Sequence, residues 1–217
     1  PLANDHIAFL KRYYSTPGLE KYQLAIMAGL ASPLMAFVDS VYNRGSKLPP
    51  NGVTVSLYSR ETARGKTTAI KSALLAFGDP NALSRDSSAT GSTALARIAK
   101  MSLHGTIPIG LDEMGDLPVM DVARLISAIA NGSGRERADK NGGLVTTNGS
   151  WALVALIAAN KSAREMASVA QADSDAIQFR MLELNVGDVS EFDNETRAQH
   201  NLDWSSVRSR CPGALGA

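Results

Sequence analysis

The chain has 217 residues, enough for one α/β domain with a large buried core or at most two small ones. Apolar residues make up 44% and charged residues 20%, the composition of ordinary globular material, and a net charge of +1 excludes recognition of nucleic acid by bulk electrostatics. One cysteine, Cys211, excludes an intrachain disulfide framework and points to a reducing, cytoplasmic setting.

Residues 1–50 are predicted as a helical N-terminal extension. "DHIAFLKRYY" and "GLEKYQLAIMAGLASPLMAFVDSVY" repeat apolar residues at helical spacing, broken at Pro17-Gly18 and Pro33. The turn-rich "RGSKLPPNG" then leads into a core spanning 51–190. Val53–Tyr58 alternates and is rich in β-branched residues, so it is predicted as a strand. Thr67 to Phe77 returns to helical spacing, with Ile70, Ala73, Leu74 and Phe77 on one face. "GDPNALSRDSSATGS" is predicted as a loop with a short strand near Ala82–Arg85, followed by a helix from Ser92 to Leu103. "TIPIGLDEM" carries a second strand ending at Asp112-Glu113, and Val119–Asn131 a helix closed by Gly132. "GRERADKNGGLVTTNG" has two Asn-Gly signals and reads as a β-hairpin. "WALVALIAAN" is the nearly all-apolar strand of a parallel sheet buried on both faces, and "FRMLELNV" a last strand. Residues 191–217 are left as a C-terminal segment, read as cut from a longer protein. Strands alternating with helices predict an α/β fold: a parallel sheet flanked by helices, with a helical extension and a hairpin insertion. No apolar run reaches membrane-spanning length, so no membrane partner is expected.

"SRETARGKTT" joins the first strand to its helix. A phosphate-binding loop is Gly, four residues, then Gly-Lys-Ser/Thr. Here Gly65, Lys66 and Thr67 match, but Arg60 stands where the first glycine belongs. The chemistry needs inward-turned amides, a lysine near the β and γ phosphates, a hydroxyl for Mg²⁺ and a helix N-terminus. Arg64, Gly65, Lys66, Thr67 and Thr68 are the candidates for binding ATP. A chance Gly-Lys-Thr on a helix start is the competing reading. Asp112, at a strand tip, is the candidate metal partner with Thr67, and Glu113 the candidate general base. Alone, such an acidic pair also opens ordinary surface turns. Asn160 ends the all-apolar strand, where a polar side chain faces the ligand crevice of a parallel sheet. It is a candidate for the γ-phosphate or the attacking water, although an Asn there also simply turns the chain.

In this order these residues resemble the helicase-type ATPases of phages, viruses and mobile elements. More closely, "GKTTAIKSALLAFGDP", "IPIGLDEMGD", "ISAIANGSGRERADKNGG" and "IQFRMLELNV" resemble the family catalogued as domain of unknown function 927. The likeness runs from about Val53 to Val186 and, less specifically, through the helical extension. It implies a P-loop NTPase fold of AAA+ or helicase type and an ATPase motor of a replicative helicase or helicase-primase. Such motors work as a homo-oligomeric ring, a hexamer, on single-stranded DNA, with a primase fused or associated. Arg180 matches the place where such families set an arginine that acts on the neighbouring subunit's site; Arg135 and Arg137 are alternatives, as is a surface pairing of Arg180 with Asp173 or Asp175. The hairpin matches one that carries a basic residue to DNA, here Lys140 with Arg137 in support, although Glu136 and Asp139 interrupt the basic run. Two other functions stay open: an ATPase that remodels protein or packages DNA, and a nucleotide-dependent assembly module that does not hydrolyse.

Overall fold

Five strands running in one direction organise the molecule. The computed structural model describes residues 2–42, 51–86, 94–112, 114, 117–133, 137–138, 144–145, 149–169, 180–189 and 193–210. Three helices come first, α1 (Leu2–Tyr14), α2 (Glu20–Leu30) and α3 (Met35–Tyr42), the last two separated by a 3-10 turn carrying Pro33. Then follow β1 (Val53–Tyr58), α4 (Lys66–Leu74), a short α5 (Pro80–Leu83), β2 (Ser84–Asp86), α6 (Ala94–His104), β3 (Ile109–Asp112) and α7 (Val119–Asn131). A hairpin of β4 (Arg137–Ala138) and β5 (Leu144–Val145) precedes β6 (Val154–Ala159), α8 (Ala163–Val169), β7 (Met181–Asn185) and α9 (Asn194–Arg210). The parallel sheet has the order β2-β3-β6-β1-β7. The fold is α/β, as predicted, with the sheet flanked by helices.

The alternation of β6 explains its composition. Val154, Leu156 and Ala158 join one apolar cluster with Val55, Leu57, Ile70 and Leu74, whereas Ala155, Ile157 and Ala159 join another with Ile109, Leu111, Leu125 and Ile126. A central strand with a core on each face has no polar side to present, so its pattern is continuous rather than alternating. The first cluster also takes Phe9, Tyr13, Tyr22, Ile26 and Val207, so the three expected stretches of chain contribute to one core. Helix α2 lies close against α4 and β6 because residue 29 is glycine: a Cβ there would stand 2.8 Å from Leu156 Cδ1 and 2.9 Å from Ala73 Cβ.

Two local expectations shift. The helix after β1 ends at Leu74 rather than Phe77, and the short strand expected near Ala82–Arg85 is present but begins at Ser84, after a helical turn over Pro80–Leu83. The Asp79 carboxylate accepts from the Asn81 amide at 3.0 Å, an N-cap with proline in the first turn, which delays β2 to Ser84. The C-terminal segment, left without an element, holds the 17-residue α9. Asp193 caps it through the Thr196 amide at 2.7 Å. Helix α9 pairs with α1: the Tyr13 hydroxyl donates to Asp203 Oδ2 at 2.6 Å, Arg12 Nη1 donates to the same oxygen at 3.0 Å, and the Phe9 ring lies 5.3 Å from His200 and 5.7 Å from Trp204. Among the described residues no single helix is long and apolar enough to cross a membrane.

Candidate functional site

Past Tyr58 the chain leaves the sheet and makes a loop before α4. Ser59 is buried, its amide still bonded to Ala159 O at 3.2 Å and its hydroxyl accepting from the Glu61 amide at 3.1 Å. The loop turns at its far end, where Ala63 has φ 59° and Gly65 φ 78°. Ala63 is the one non-glycine residue with positive φ among the described residues, so Arg60 stands in ordinary backbone. A side chain is tolerated at the first-glycine position because this loop does not place its left-handed turn there. Nothing lies within 4 Å of a Cβ built on Gly65, so glycine serves conformation at that point rather than space. From there α4 begins with the amides of Lys66, Thr67 and Thr68, first-turn donors with no partner inside the helix.

Lys66 is only 7% exposed. Its Nζ donates to Ser59 O at 3.1 Å, Glu61 O at 3.0 Å and Asn160 Oδ1 at 3.0 Å, one acceptor for each ammonium proton. Burial pushes its pKa below the usual lysine value; the Asp112 carboxylate opposes that shift and Arg64 adds to it. Asn160 follows the last residue of β6, and Asp112 is the last residue of β3. The Thr67 hydroxyl donates to Asp112 Oδ1 at 3.1 Å. Strands β3, β6 and β1 are neighbours, so their carboxyl ends bring Asp112, Asn160 and the loop to one place. Arg64, Gly65, Lys66, Thr67, Thr68, Asp112 and Asn160 all line one cavity of about 710 Å³.

The rest of that cavity was not foreseen. Tyr14, Leu19 and Tyr22 line it from the N-terminal helices, and Val189, Arg197, His200 and Asn201 from the end of the described chain. The same elements pin the loop from outside. The Tyr22 hydroxyl donates to the Arg64 carbonyl, the Arg64 guanidinium pairs with Glu61, and Arg64 Nη1 donates to Val189 O at 3.3 Å. Burial pushes the Tyr22 pKa up to about 12, so its hydroxyl stays a donor throughout the neutral range.

Arg180 does not join this group within one subunit. It precedes β7, whose register pairs Met181 with Thr54 and Asn185 with Tyr58, so it sits at the amino end of the sheet. That is five strand steps, about 16 Å along the strand, from the level of Tyr58. It is exposed and donates from Nη1 to Ser127 Oγ at 3.2 Å. Glu113, Arg135 and Lys140 lie outside the described residues, as do Asp173 and Asp175, and Arg137 is described by its backbone in β4 alone.

Residues 19–148 match the family described as a domain of unknown function, DUF927. That span is more than half of the chain. The chain belongs to the DUF927 family. The match to DUF927 takes in α2, the loop, Asp112 and the hairpin; Asn160 and Arg180 lie beyond it. It also starts earlier than the motifs alone suggest, within the helical extension. In fold, this DUF927 chain is similar to a solved structure described as "SCCmec type IV Cch - active helicase", with a TM-score of 0.68 and 18% identity. The likeness covers 97% of this chain and 35% of that one, so the DUF927 chain spans about a third of the other's length. No match to a curated protein is found.

Proposed function

We propose that this DUF927 chain is the ATP-hydrolysing motor domain of a helicase of the phage or mobile-element type, working on single-stranded DNA as a homo-oligomeric ring. The observation that carries the reading is the meeting of Lys66, Thr67, Asp112 and Asn160, from three separate strand ends, in one cavity. A buried ammonium beside first-turn helix amides is suited to a chain of phosphates and to little else of that size. The hydroxyl of Thr67 and the carboxylate of Asp112 are hard oxygen donors 3.1 Å apart, a pair that fits Mg²⁺, which is bound through one or two protein oxygens, phosphates and water. Mg²⁺ would neutralise charge developing on the β and γ phosphates.

The chain's own residues divide the work. Lys66 and the loop amides from Arg64 to Thr68 hold the phosphates. A phosphate oxygen that takes one of the three bonds of the Lys66 ammonium releases Asn160 to contact the γ-phosphate or the attacking water. Glu113, next to Asp112, accepts the proton of that water as it attacks γ-phosphorus and the bond to the ADP leaving oxygen breaks. Arg180, at the far end of the sheet, serves the site of an adjacent subunit. Lys140 and Arg137 meet the DNA backbone, where a few contacts per subunit give salt-dependent binding without sequence preference.

The test is ATP turnover by the purified chain with Mg²⁺, with and without single-stranded DNA. Lys66→Ala and Glu113→Gln should each abolish turnover, and Lys140→Ala should remove its stimulation by DNA. A wild-type chain that binds ATP without turning it over under either condition refutes the motor and leaves the assembly module. Turnover that ignores DNA and the Lys140 change points to the protein-remodelling ATPase.

A further inference from the structure

Asn160 and Lys161 form the bend that follows β6, and both line the cavity. Both residues are exposed, so packing does not hold their side chains. Asn160 is held by its bond to the Lys66 ammonium, the group that a phosphate is proposed to engage. Once that bond is given up, the place of Asn160 depends on its backbone. Just beyond the bend the chain is tied down firmly. Ser162 is 4% exposed and Ala163 3%, and Ala163 and Met166 pack on the α7 side of the sheet. The tie comes from β7. Glu183 Oε2 accepts from the Ser162 hydroxyl at 2.7 Å, and Glu183 Oε1 accepts from the Ala163 amide at 2.7 Å. Ser162 Oγ in turn accepts from the Glu165 amide at 3.1 Å, so serine and carboxylate together cap α8.

We infer that Glu183 is the positioning residue for Asn160: from β7 it fixes the start of α8, and with it the bend that presents Asn160 to the cavity. The inference rests on the nucleotide reading of that cavity. In the sheet order β1 lies between β7 and β6, so the ladder links those two strands only through β1. A carboxylate that reaches across β1 adds a direct tie. Alternation puts it on the correct face, because Met181 joins the α7-side cluster and Glu183 follows it at a spacing of two. Its register partner on β1 is Ser56, a small, buried side chain on the same face, which leaves a carboxylate room to cross. An ordinary helix cap is already met by Ser162 alone. The carboxylate goes further: two short bonds to an ionised acceptor fix direction as well as distance, and they anchor the bend to a different strand.

Two measurements on the full chain test it, one of them independent of turnover. In the ligand-free, ¹⁵N-labelled chain, the side-chain amide signal of Asn160, assigned by its loss in Asn160→Ala, should move and broaden in Glu183→Ala. The side-chain amide of Gln199, bonded to Asp203 on α9, serves as the control and should stay in place. In steady-state kinetics with Mg²⁺-ATP, Glu183→Ala should lower kcat by about 10- to 100-fold, the cost of a misplaced contact to the reacting group. KM and the affinity for Mg²⁺-ADP should stay within a factor of about two, because the diphosphate is held by Lys66 and the loop amides. Glu183→Gln keeps the size of the side chain and one accepting oxygen, so its kcat should fall only about 2- to 10-fold. An Asn160 signal that does not move, or one that moves while kcat holds, overturns the inference. Where Glu183→Ala moves both amide signals, Glu183→Gln is read in its place, and if that variant also moves both, Glu183 serves the fold at large and the inference falls. A wild-type chain without turnover refutes the motor instead; the Asn160 signal then decides alone whether Glu183 positions the bend.

Discussion

The two ends of the sheet present opposite solutions to the same backbone geometry. At the carboxyl end, β1 and β3 stop on Tyr58 and Asp112, β6 runs straight into Asn160, and a buried lysine is held by two loop carbonyls and an amide. At the amino end, the chain enters β1 with Gly52 packed under α7, where a Cβ would lie 2.5 Å from Ile129 O, and Arg180 stands exposed with Ser127. One end concentrates charge in a desolvated cavity; the other closes on backbone and leaves its charge in water. Burying an ammonium is unfavourable unless every proton has an acceptor, so such an arrangement marks the end where binding chemistry belongs.

The contrast breaks most sharply under paired substitutions. Lys66→Ala should abolish ATP binding by the chain, measured by titration. On the proposed ring, Arg180→Ala should leave binding unchanged and lower turnover by roughly 10³-fold, the effect expected where an arginine is supplied to a neighbouring site. Equal loss of binding in both would mean that the two ends do not differ in the way described. Moving one bond out from the lysine, Tyr22→Phe keeps the buried ring and deletes its hydrogen bond to the Arg64 carbonyl. ATP affinity should fall by about 2- to 10-fold while the far end of the sheet keeps its melting behaviour. Gly29→Ala tests the same helix from behind: displacing Leu156 and Ala73 should cost about 1–3 kcal/mol in denaturant unfolding.

The smallest effect expected is on pH. His6 and His200 both have pKa values lowered by burial, His6 while donating from Nε2 to Ser72 O at 2.8 Å and His200 among the rings of Phe9, Tyr13 and Tyr14. His104, across the sheet, is lowered too, by burial and then by Lys100. A histidine whose folded pKa lies below its unfolded value of 6.5 takes up its proton more readily when unfolded. Stability from these groups is therefore complete above that value and declines as pH falls through 6.5 and below. Thermal melts should shift downward between pH 7 and pH 5, with no histidine contribution to any change between pH 7 and pH 9.

What the sequence made legible, and what it hid, follows from range. The β1–loop–α4 unit is readable because Val53–Tyr58 alternates, Gly65 breaks the pattern and Ile70, Ala73 and Leu74 resume it at helical spacing, all within one local stretch. Asp112 and Asn160 are readable because each ends an apolar run, and strand ends in parallel sheets point at one crevice. Helix α9 is not, since among its 17 residues only His200 and Val207 are buried and the remainder is polar enough to pass for a tail. Nor is the role of Tyr14 and Tyr22, whose aromatic rings read as helix core and whose place beside the loop depends on α2 coming close through Gly29. The end of α4 was misjudged for a local reason: the Asp79-Pro80 cap competes with the apolar spacing that carries on to Phe77.

The pairing of α1 with α9 joins partners separated by 190 residues, as between Tyr13 and Asp203. A ribosome adding roughly 5–20 residues per second leaves the first helix waiting roughly ten to forty seconds for the last. Throughout that wait Phe9, Tyr13 and Tyr14 lack the aromatic cover that His200 and Trp204 supply, and the nascent chain shows a sticky face to whatever is near. Expression of this domain should thus depend on a holding chaperone more than its modest size suggests, and shortening the gene before α9 should send the product into inclusion bodies.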